Sequence, residues 1–283
     1  MYDQSSHTFL NFKGYGAVHE ADHPADDFRE NARENPQDDY RTTVEQTAAF
    51  LAARAGINGS CRVLEVGDHC ECLLMYFAKW FGCRGEGIFQ SEEYVRFAQD
   101  LCTNQPHGLD VGFRRASVMR LPYEPGSFTH VVSHGALHKV PDKPHGYLEI
   151  RRVLRRGGVF AFSDFYQPQA SISEHTRTNV YDKFGWNDGY TLLEHHSALE
   201  EAGFEISSVF NVTGFLRRTF QGNAEAARTR AERMADVEAR DKMLAFSSSC
   251  EEVQAAIDRM EVGWAVFVVR KPEAPGGRVP HAS

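Results

Sequence analysis

Apolar positions follow two periods along this chain, and the two periods predict strands that alternate with helices. Short continuous apolar runs indicate buried strands, whereas apolar residues spaced three and four apart indicate helices that cover them. Strands are predicted at 62–66, 85–89, 110–116, 128–134, 159–165, 205–213 and 264–271. Helices are predicted at 40–55, 72–82, 91–102, 143–158, 191–204, 224–246 and 249–260. This order is typical of an α/β fold with a mainly parallel sheet covered on both faces.

Several of these helices carry signals at their ends. Ser91 and Thr191 stand where a hydroxyl can accept an early backbone N–H, so both are predicted N-caps. The pair Gly157 and Gly158 is predicted to end the helix at 143–158, since glycine readily takes the left-handed conformation that closes helices.

The same patterns divide the chain into three parts. Residues 1–40 lack a clear period and are predicted to be an N-terminal arm or lid. Residues 41–271 hold the alternating elements, and the helices within 219–260, between the last two strands, are predicted to form an inserted cap. Residues 272–283 have no core-forming pattern and are predicted to be a disordered tail.

Charge and hydropathy narrow the classes of partner. The net charge of −8 disfavours nucleic acid, which needs a basic face to neutralise its phosphates. The run Arg151–Arg156 is interpreted as a solvated helix end. The longest apolar run, Trp264–Val269, is too short to cross a bilayer, and the first residues lack the pattern of a signal peptide. We therefore expect a cytoplasmic protein with no membrane partner.

The cysteines do not indicate a metal site. Five of the six lie between positions 61 and 102, in segments that look like regular α/β structure, so we interpret them as reduced thiols. His69, Cys70 and Cys72 resemble zinc ligands, but no second ligand pair follows at the usual spacing. We predict no metal.

Three segments together resemble a known family. They are "VLEVG" at 63–67, "LPYEPGSFTHVVSHGALHKVPDK" at 121–143 and "YLEIRRVLRRGGVFAFSDF" at 147–165. The pattern resembles the class I S-adenosylmethionine-dependent methyltransferase superfamily over about residues 40–271. Within it, the chain is similar to the small-molecule, type 11 group near the sarcosine/dimethylglycine methyltransferases. This resemblance implies a Rossmann-like sheet of seven strands in the order 3-2-1-4-5-7-6, with a helical N-terminal lid and inserted cap helices.

The resemblance also places the S-adenosylmethionine loop after the first predicted strand. Glu65 matches the family's acidic position and Gly67 its first loop glycine. The second and third glycines fall on His69 and Glu71. The imidazole would crowd the ligand and the carboxylate would repel the ligand's own carboxylate, so the loop is expected to be degenerate.

The remaining cofactor contacts follow from the same resemblance. Phe89 stands where the family has an acidic side chain for the ribose hydroxyls, and the neighbouring Gln90 is a candidate replacement. Ser117 and Val118 are expected near the adenine. Ser133 is expected at the carboxyl edge of the sheet, where ligands bind in open α/β folds.

Two histidines are the candidate catalytic residues. His134 and His138 are expected beside the cleft. Because histidine titrates near neutral pH, either could act as a general base toward a hydroxyl or carbon nucleophile. His138 could equally serve the backbone at a helix start. Asp164 is expected at the cleft edge.

An aromatic cluster is the candidate substrate pocket. Tyr181, Phe184, Trp186 and Tyr190 follow each other closely in the sequence. Such a cluster can hold a methylammonium group by cation–π attraction, or can be ordinary packing beneath a long loop.

Two functions remain open at this point. The first is a small-molecule methyltransferase that uses S-adenosylmethionine through an altered loop. The second is a protein of the same fold that has lost this cofactor, either a non-methylating enzyme of the cyclase or isomerase type or a non-catalytic binding subunit. Both imply a small-molecule partner, and assembly with itself or with another chain is left open.

Overall fold

A computed structural model describes residues 8–9, 18–20, 36–67, 72–105, 108–186 and 189–273. The strands within these ranges form one sheet. They are β1 (Thr8–Phe9), β2 (Val18–Glu20), β3 (Arg62–Val66), β4 (Arg84–Phe89), β5 (Val111–Arg115), β6 (Phe128–His134), β7 (Leu154–Tyr166), β8 (Glu205–Asn211) and β9 (Gly263–Arg270).

The sheet has the strand order expected from the sequence. Its order is β1-β2-β8-β9-β7-β6-β3-β4-β5. Counted from β3 onward, the seven strands run 3-2-1-4-5-7-6. All neighbouring pairs among β3 to β7 are parallel, while β9 is antiparallel to both β7 and β8. The expected fold class is therefore confirmed.

Two short strands extend the sheet beyond the seven. β2 pairs in parallel with β8, Val18 opposite Val209, and β1 pairs antiparallel with β2. An edge strand such as β8 exposes unpaired backbone groups, and β2 covers part of that edge. Within 1–35, only these two strands are described, so the helical lid lies outside the described residues.

Helices cover both faces of the sheet. They are α1 (Pro36–Ala55), α2 (Leu73–Phe81), α3 (Glu92–Thr103), α4 (Lys143–Val153), α5 (Glu174–Thr176), α6 (Asp182–Phe184), α7 (Leu192–Glu201), α8 (Thr213–Glu232) and α9 (Val237–Asp258). One core cluster joins the sheet to α1, α2, α3, α8 and α9, and the other joins it to α4 and α7. The predicted two-sided burial is confirmed. No helix in the described ranges is long and apolar enough to span a membrane.

Several predicted boundaries are wrong, and the clearest case is the helix before β7. The helix expected at 143–158 ends at Val153, and Leu154 already begins β7 opposite Phe128. Gly157 has a φ of 68°, and its amide donates to the Lys271 carbonyl at 2.9 Å. The glycine pair therefore forms an irregular strand start instead of a helix end.

Both predicted N-caps are confirmed. The Ser91 hydroxyl accepts from the Glu93 amide, and Thr191 forms a reciprocal capping box with Glu194. Two long helices lie between β8 and β9, as the sequence predicts, but their bounds differ from the predicted 224–246 and 249–260, because α8 ends at Glu232 and α9 runs on through 247–248. Their service as a cap over a ligand stays a prediction.

Candidate functional site

The carboxylate of Glu65 is used by the fold itself. Its two oxygens accept the backbone amides of Leu73 and Leu74 at 2.9 and 3.0 Å, and the side chain is only 4% exposed. The first amides of a helix have no partner within the helix and carry a partial positive charge, so a carboxylate there stabilises it. Glu65 thereby fixes the start of α2 to the end of β3.

Gly67 is required by the ring of Phe89. Phe89 is 1% exposed and packs against Phe113 with ring centroids 6.2 Å apart. A Cβ added at Gly67 would lie 2.4 Å from Cε1 of Phe89. That distance is a severe overlap, so the glycine leaves room for the aromatic ring.

The position expected to hold the ribose does not fit that group. A ribose needs an acceptor for its hydroxyls, and Phe89 offers none. Its ring also fills the space beside Gly67. Gln90 is exposed, and its backbone carbonyl accepts from Nε of Arg115 at 3.0 Å. His69 and Glu71 lie outside the described residues, so the expectations for them stay predictions.

The three other expected cofactor residues are also engaged within the protein. The Ser133 hydroxyl is fully buried and donates to the Val66 carbonyl at 2.8 Å. The Ser117 hydroxyl accepts from the Met119 amide at 3.2 Å. Val118 is buried in the core on the α4 side of the sheet. Ser133 therefore lies against the end of β3, and the other two residues have local packing roles.

A buried polar cluster lies at the carboxyl ends of β6 and β7. Asp164 is fully buried, and its Oδ2 accepts from Nζ of Lys143 at 2.7 Å. His138 lies on a 3₁₀ turn, Leu137–Lys139, and is 5% exposed. Its Nδ1 is 3.5 Å from Oδ1 of Asp164, too far for a strong hydrogen bond. Neither ring nitrogen of His138 has a hydrogen-bond partner among the described residues.

Charge pairing keeps the buried carboxylate of this cluster ionised. Burial alone would raise the pKa of Asp164, but the Lys143 ammonium and His138 together hold it well below its usual value. An ionised carboxylate can only accept hydrogen bonds. Nδ1 of His138 faces this acceptor, and Nε2 has no hydrogen-bond partner among the described residues.

His134 lies beside this cluster but is tied to neighbouring strands. Its Nδ1 forms a close hydrogen bond with the Ser163 hydroxyl, and its ring meets Trp264 edge-on at 5.5 Å. Burial lowers the pKa of His134 to about 4, so the ring is neutral at pH 7. Of the two predicted bases, His138 is therefore the one without a described hydrogen-bond partner.

A third buried histidine was missed by the sequence reasoning. The Tyr147 hydroxyl donates to Nδ1 of His195 at 3.0 Å, and Nε2 of His195 donates to the Phe165 carbonyl at 3.1 Å. Burial lowers the pKa of His195 to about 4. With both nitrogens bonded, His195 positions the backbone next to Asp164.

Three of the four predicted substrate aromatics come together. The ring of Trp186 lies 3.7 Å from Phe165, 5.3 Å from Phe184 and 5.7 Å from Tyr181, between centroids. We call these four residues the aromatic group. His138 contacts it through Phe165 at 5.0 Å and through Trp186 at 6.1 Å.

Tyr190 lies apart from the aromatic group. Its ring contacts His195 at 5.3 Å and lies 5.5 Å from Nζ of Lys143. Tyr190 therefore packs beside the buried ion pair of Lys143 and Asp164. No group of three or more potential metal ligands occurs among the described residues.

Comparisons with known proteins agree with this architecture. The model of a family described as "Methyltransferase domain" matches residues 64–162. The 27-O-demethylrifamycin SV methyltransferase of Amycolatopsis mediterranei (strain S699) is 28% identical over 269 residues, covering 92% of this chain and 96% of that protein.

Solved structures share the fold at lower identity. A putative sarcosine dimethylglycine methyltransferase from Galdieria sulphuraria superposes with a TM-score of 0.74 at 17% identity, covering 85% of this chain and 89% of that one. The [4+2]-cyclase SpnF superposes with a TM-score of 0.67 at 20% identity, covering 81% of each chain.

The sheet has the strand order of the class I methyltransferase fold, and the matched domain lies within it. Residues 64–162 match the methyltransferase domain family, and over 92% of its length the chain is similar to a methyltransferase of a small molecule.

Proposed function

We propose that this protein methylates a small molecule that lies against the aromatic group, with His138 as the general base. The observation that carries the proposal is the buried imidazole of His138, which has a carboxylate behind Nδ1 and no described partner at Nε2. A buried polar group without a partner costs about 1–3 kcal/mol, so a fold does not keep one without a reason. A substrate O–H would supply the missing partner.

The residues of the cluster divide the work of proton transfer. Nε2 of His138 accepts the proton of the nucleophile. The negative charge of Asp164, 3.5 Å from Nδ1, stabilises the imidazolium that forms. Lys143 keeps Asp164 ionised through its 2.7 Å contact. S-adenosylmethionine supplies the methyl group when bound.

Cofactor affinity is expected to be low for this superfamily. The ring of Phe89 fills the space beside Gly67, and Phe89 itself offers no acceptor for the ribose. Leaving hydroxyls without a built acceptor costs on the order of 1–3 kcal/mol, which is roughly a ten- to hundredfold loss in affinity. Binding would also require the ring to move.

The Phe89 ring at the expected ribose position also favours a second candidate function. A protein that keeps the fold and the polar cluster but fills the ribose position could act as a non-methylating enzyme. SpnF, whose fold is similar, is described as a [4+2]-cyclase. In that case His138 would exchange a proton with the substrate without methyl transfer.

Calorimetric titration with S-adenosylmethionine and S-adenosylhomocysteine tests both candidates. We expect weak binding by the native protein and at least tenfold tighter binding by Phe89→Asp, which removes the ring and restores the acceptor. Phe89→Ala is the matched control because it opens the space without adding the acceptor. Absence of heat from both ligands, with native protein and with folded Phe89→Asp, would overturn the methyltransferase proposal and leave the second candidate.

A further inference from the structure

Both buried carboxylates beside the aromatic group already have a cation. Asp164 accepts from Lys143 at 2.7 Å. Glu261, whose backbone carbonyl accepts from the Tyr181 hydroxyl at 3.2 Å, is paired with Arg259 at 2.8 Å. Its oxygens also accept from the Ser173 amide and from a threonine hydroxyl. Neither carboxylate is left to balance the charge of a ligand.

The histidines near the group add no charge at neutral pH. Burial lowers the pKa of His134 and of His195 to about 4, so both are neutral at pH 7. The two ion pairs cancel internally. Among the described residues, the surroundings of His138 are therefore largely aromatic and close to zero net charge.

An ammonium group would be poorly held in such a site. It would lose its water shell without gaining a counter-charge, at a cost of several kcal/mol. Cation–π attraction to Trp186 or Phe184 returns about 0.5–2 kcal/mol, which is too little. The cluster of aromatic rings, taken alone, could suit a methylammonium, but the charges around it argue against one.

The free nitrogen of His138 calls for a different group. Nε2 is an acceptor within an apolar surround, and it is satisfied by a donor that brings no charge. The outer rings, Phe184 and Phe220, are partly buried and meet edge-on at 5.7 Å. They offer an apolar surface for the body of a ligand that reaches His138 from outside.

Resting on the proposed role of His138, we infer that the substrate presents an uncharged, weakly acidic hydroxyl, a phenol or an enol, on an apolar body, and that the site excludes amines. The O–H bond breaks, its proton passes to Nε2, and the electron pair stays on oxygen as the nucleophile. A phenol or enol suits this step because its pKa is closer to that of an imidazole than the pKa of an alkyl alcohol is.

A matched pair of probes tests the inference without any cofactor. 2-Naphthol and (2-naphthyl)trimethylammonium have the same apolar body and differ in charge. Calorimetric titration of the native protein at pH 7.5 is expected to give at least tenfold tighter binding of the naphthol. Equal or tighter binding of the cation, or no binding of either probe at millimolar concentration, would overturn the inference.

Removal of the Lys143 charge sharpens the test. Lys143→Met leaves Asp164 without its cation, so the preference is expected to shift toward the cationic probe by tenfold or more. Lys242→Met is the control, since Lys242 is an exposed lysine on α9 paired only with Glu238 among the described residues. Circular dichroism melting establishes whether each variant is folded. If Lys143→Met is unfolded, the comparison of the two probes on the native protein decides whether the site prefers the uncharged one. An unchanged preference in folded Lys143→Met contradicts the role of the ion pair.

The outcome is separable from that of the proposed function. Since the titration contains no cofactor, it does not depend on methyl transfer. A protein that binds S-adenosylmethionine and methylates an alkyl alcohol, but does not prefer the naphthol, would keep the proposed function and contradict this inference. A protein that binds naphthol selectively but never binds S-adenosylmethionine would do the reverse.

Discussion

Two regions at the carboxyl edge of the sheet differ in how completely their residues are satisfied by contacts within the protein. At the loop after β3, the retained family residues Glu65 and Gly67 have complete structural roles, one capping α2 and the other making room for Phe89. At the ends of β6 and β7, His138 is buried with both ring nitrogens unpartnered among the described residues. A retained motif residue can therefore be explained by the fold, while a residue that the fold leaves unsatisfied is the better indicator of a ligand.

The largest expected effect is on turnover at the unsatisfied end. His138→Gln keeps a polar side chain of similar size but cannot take a proton, so kcat is expected to fall about 10²- to 10⁴-fold. Circular dichroism should show a folded protein, because the described structure gives His138 no hydrogen bond to lose. Assay of methyl transfer to a phenolic acceptor measures the effect. Unchanged turnover would mean that His138 is packing and that the contrast between the two ends is false.

The buried ion pair of Lys143 and Asp164 should contribute more to stability than an exposed ion pair does. Asp164→Asn removes the carboxylate and leaves the Lys143 ammonium buried without its partner, which costs about 3–5 kcal/mol in the free energy of unfolding. Urea denaturation measures the loss. Asp258→Asn breaks the exposed pair with Arg217 and should change stability by less than about 1 kcal/mol. Similar losses in the two variants would contradict the buried pairing.

Acid should lower the free energy of unfolding through protonation of His195, which lies near the polar cluster. Its pKa is about 4 when folded and near its ordinary 6.5 when unfolded, so the unfolded chain binds more protons between these values. Stability is therefore complete above pH 6.5 and falls as the pH drops toward 4, by on the order of 2–3 kcal/mol for this group. The lowered pKa values of His130 and His134 act in the same direction.

The measurement is the free energy of unfolding in urea at pH 5 and pH 7. His195→Gln should lose less stability between these two conditions than the native protein does. Asp164 does not confuse the result, because its depressed pKa matters only below its ordinary value of 3.8. An identical pH dependence in the variant would show that His195 is not neutral in the folded protein.

The sequence predicted the sheet better than it predicted the polar cluster. Periodicity and the family resemblance place the strands and their order, because each strand is a continuous local pattern. The α4–β7 boundary was missed since "RVLRRGG" reads locally as a helix end, whereas pairing of Leu154 with Phe128 decides it. Lys143 meets Asp164 from 21 positions away, and no local pattern announces such a contact. His134 and His138 were predicted because they lie in a family-like segment, and their catalytic role stays a prediction.

The smallest effect concerns the satisfied end, and it tests the role of the loop glycine. Gly67→Ala adds a Cβ that would meet the Phe89 ring at 2.4 Å, so overpacking should cost about 1–3 kcal/mol of stability. Phe89→Ala alone should also destabilise, through the cavity it leaves. In the double variant the overlap is gone, so its loss should be smaller than the sum of the two single losses by about 0.5–3 kcal/mol.

Gly59→Ala together with Phe89→Ala is the control pair, because the Cβ at position 59 would meet the Phe81 carbonyl instead. Additive losses at 67 and 89 would mean that Gly67 serves something other than the ring, with the ligand as the leading alternative, and the two ends of the edge would then be alike.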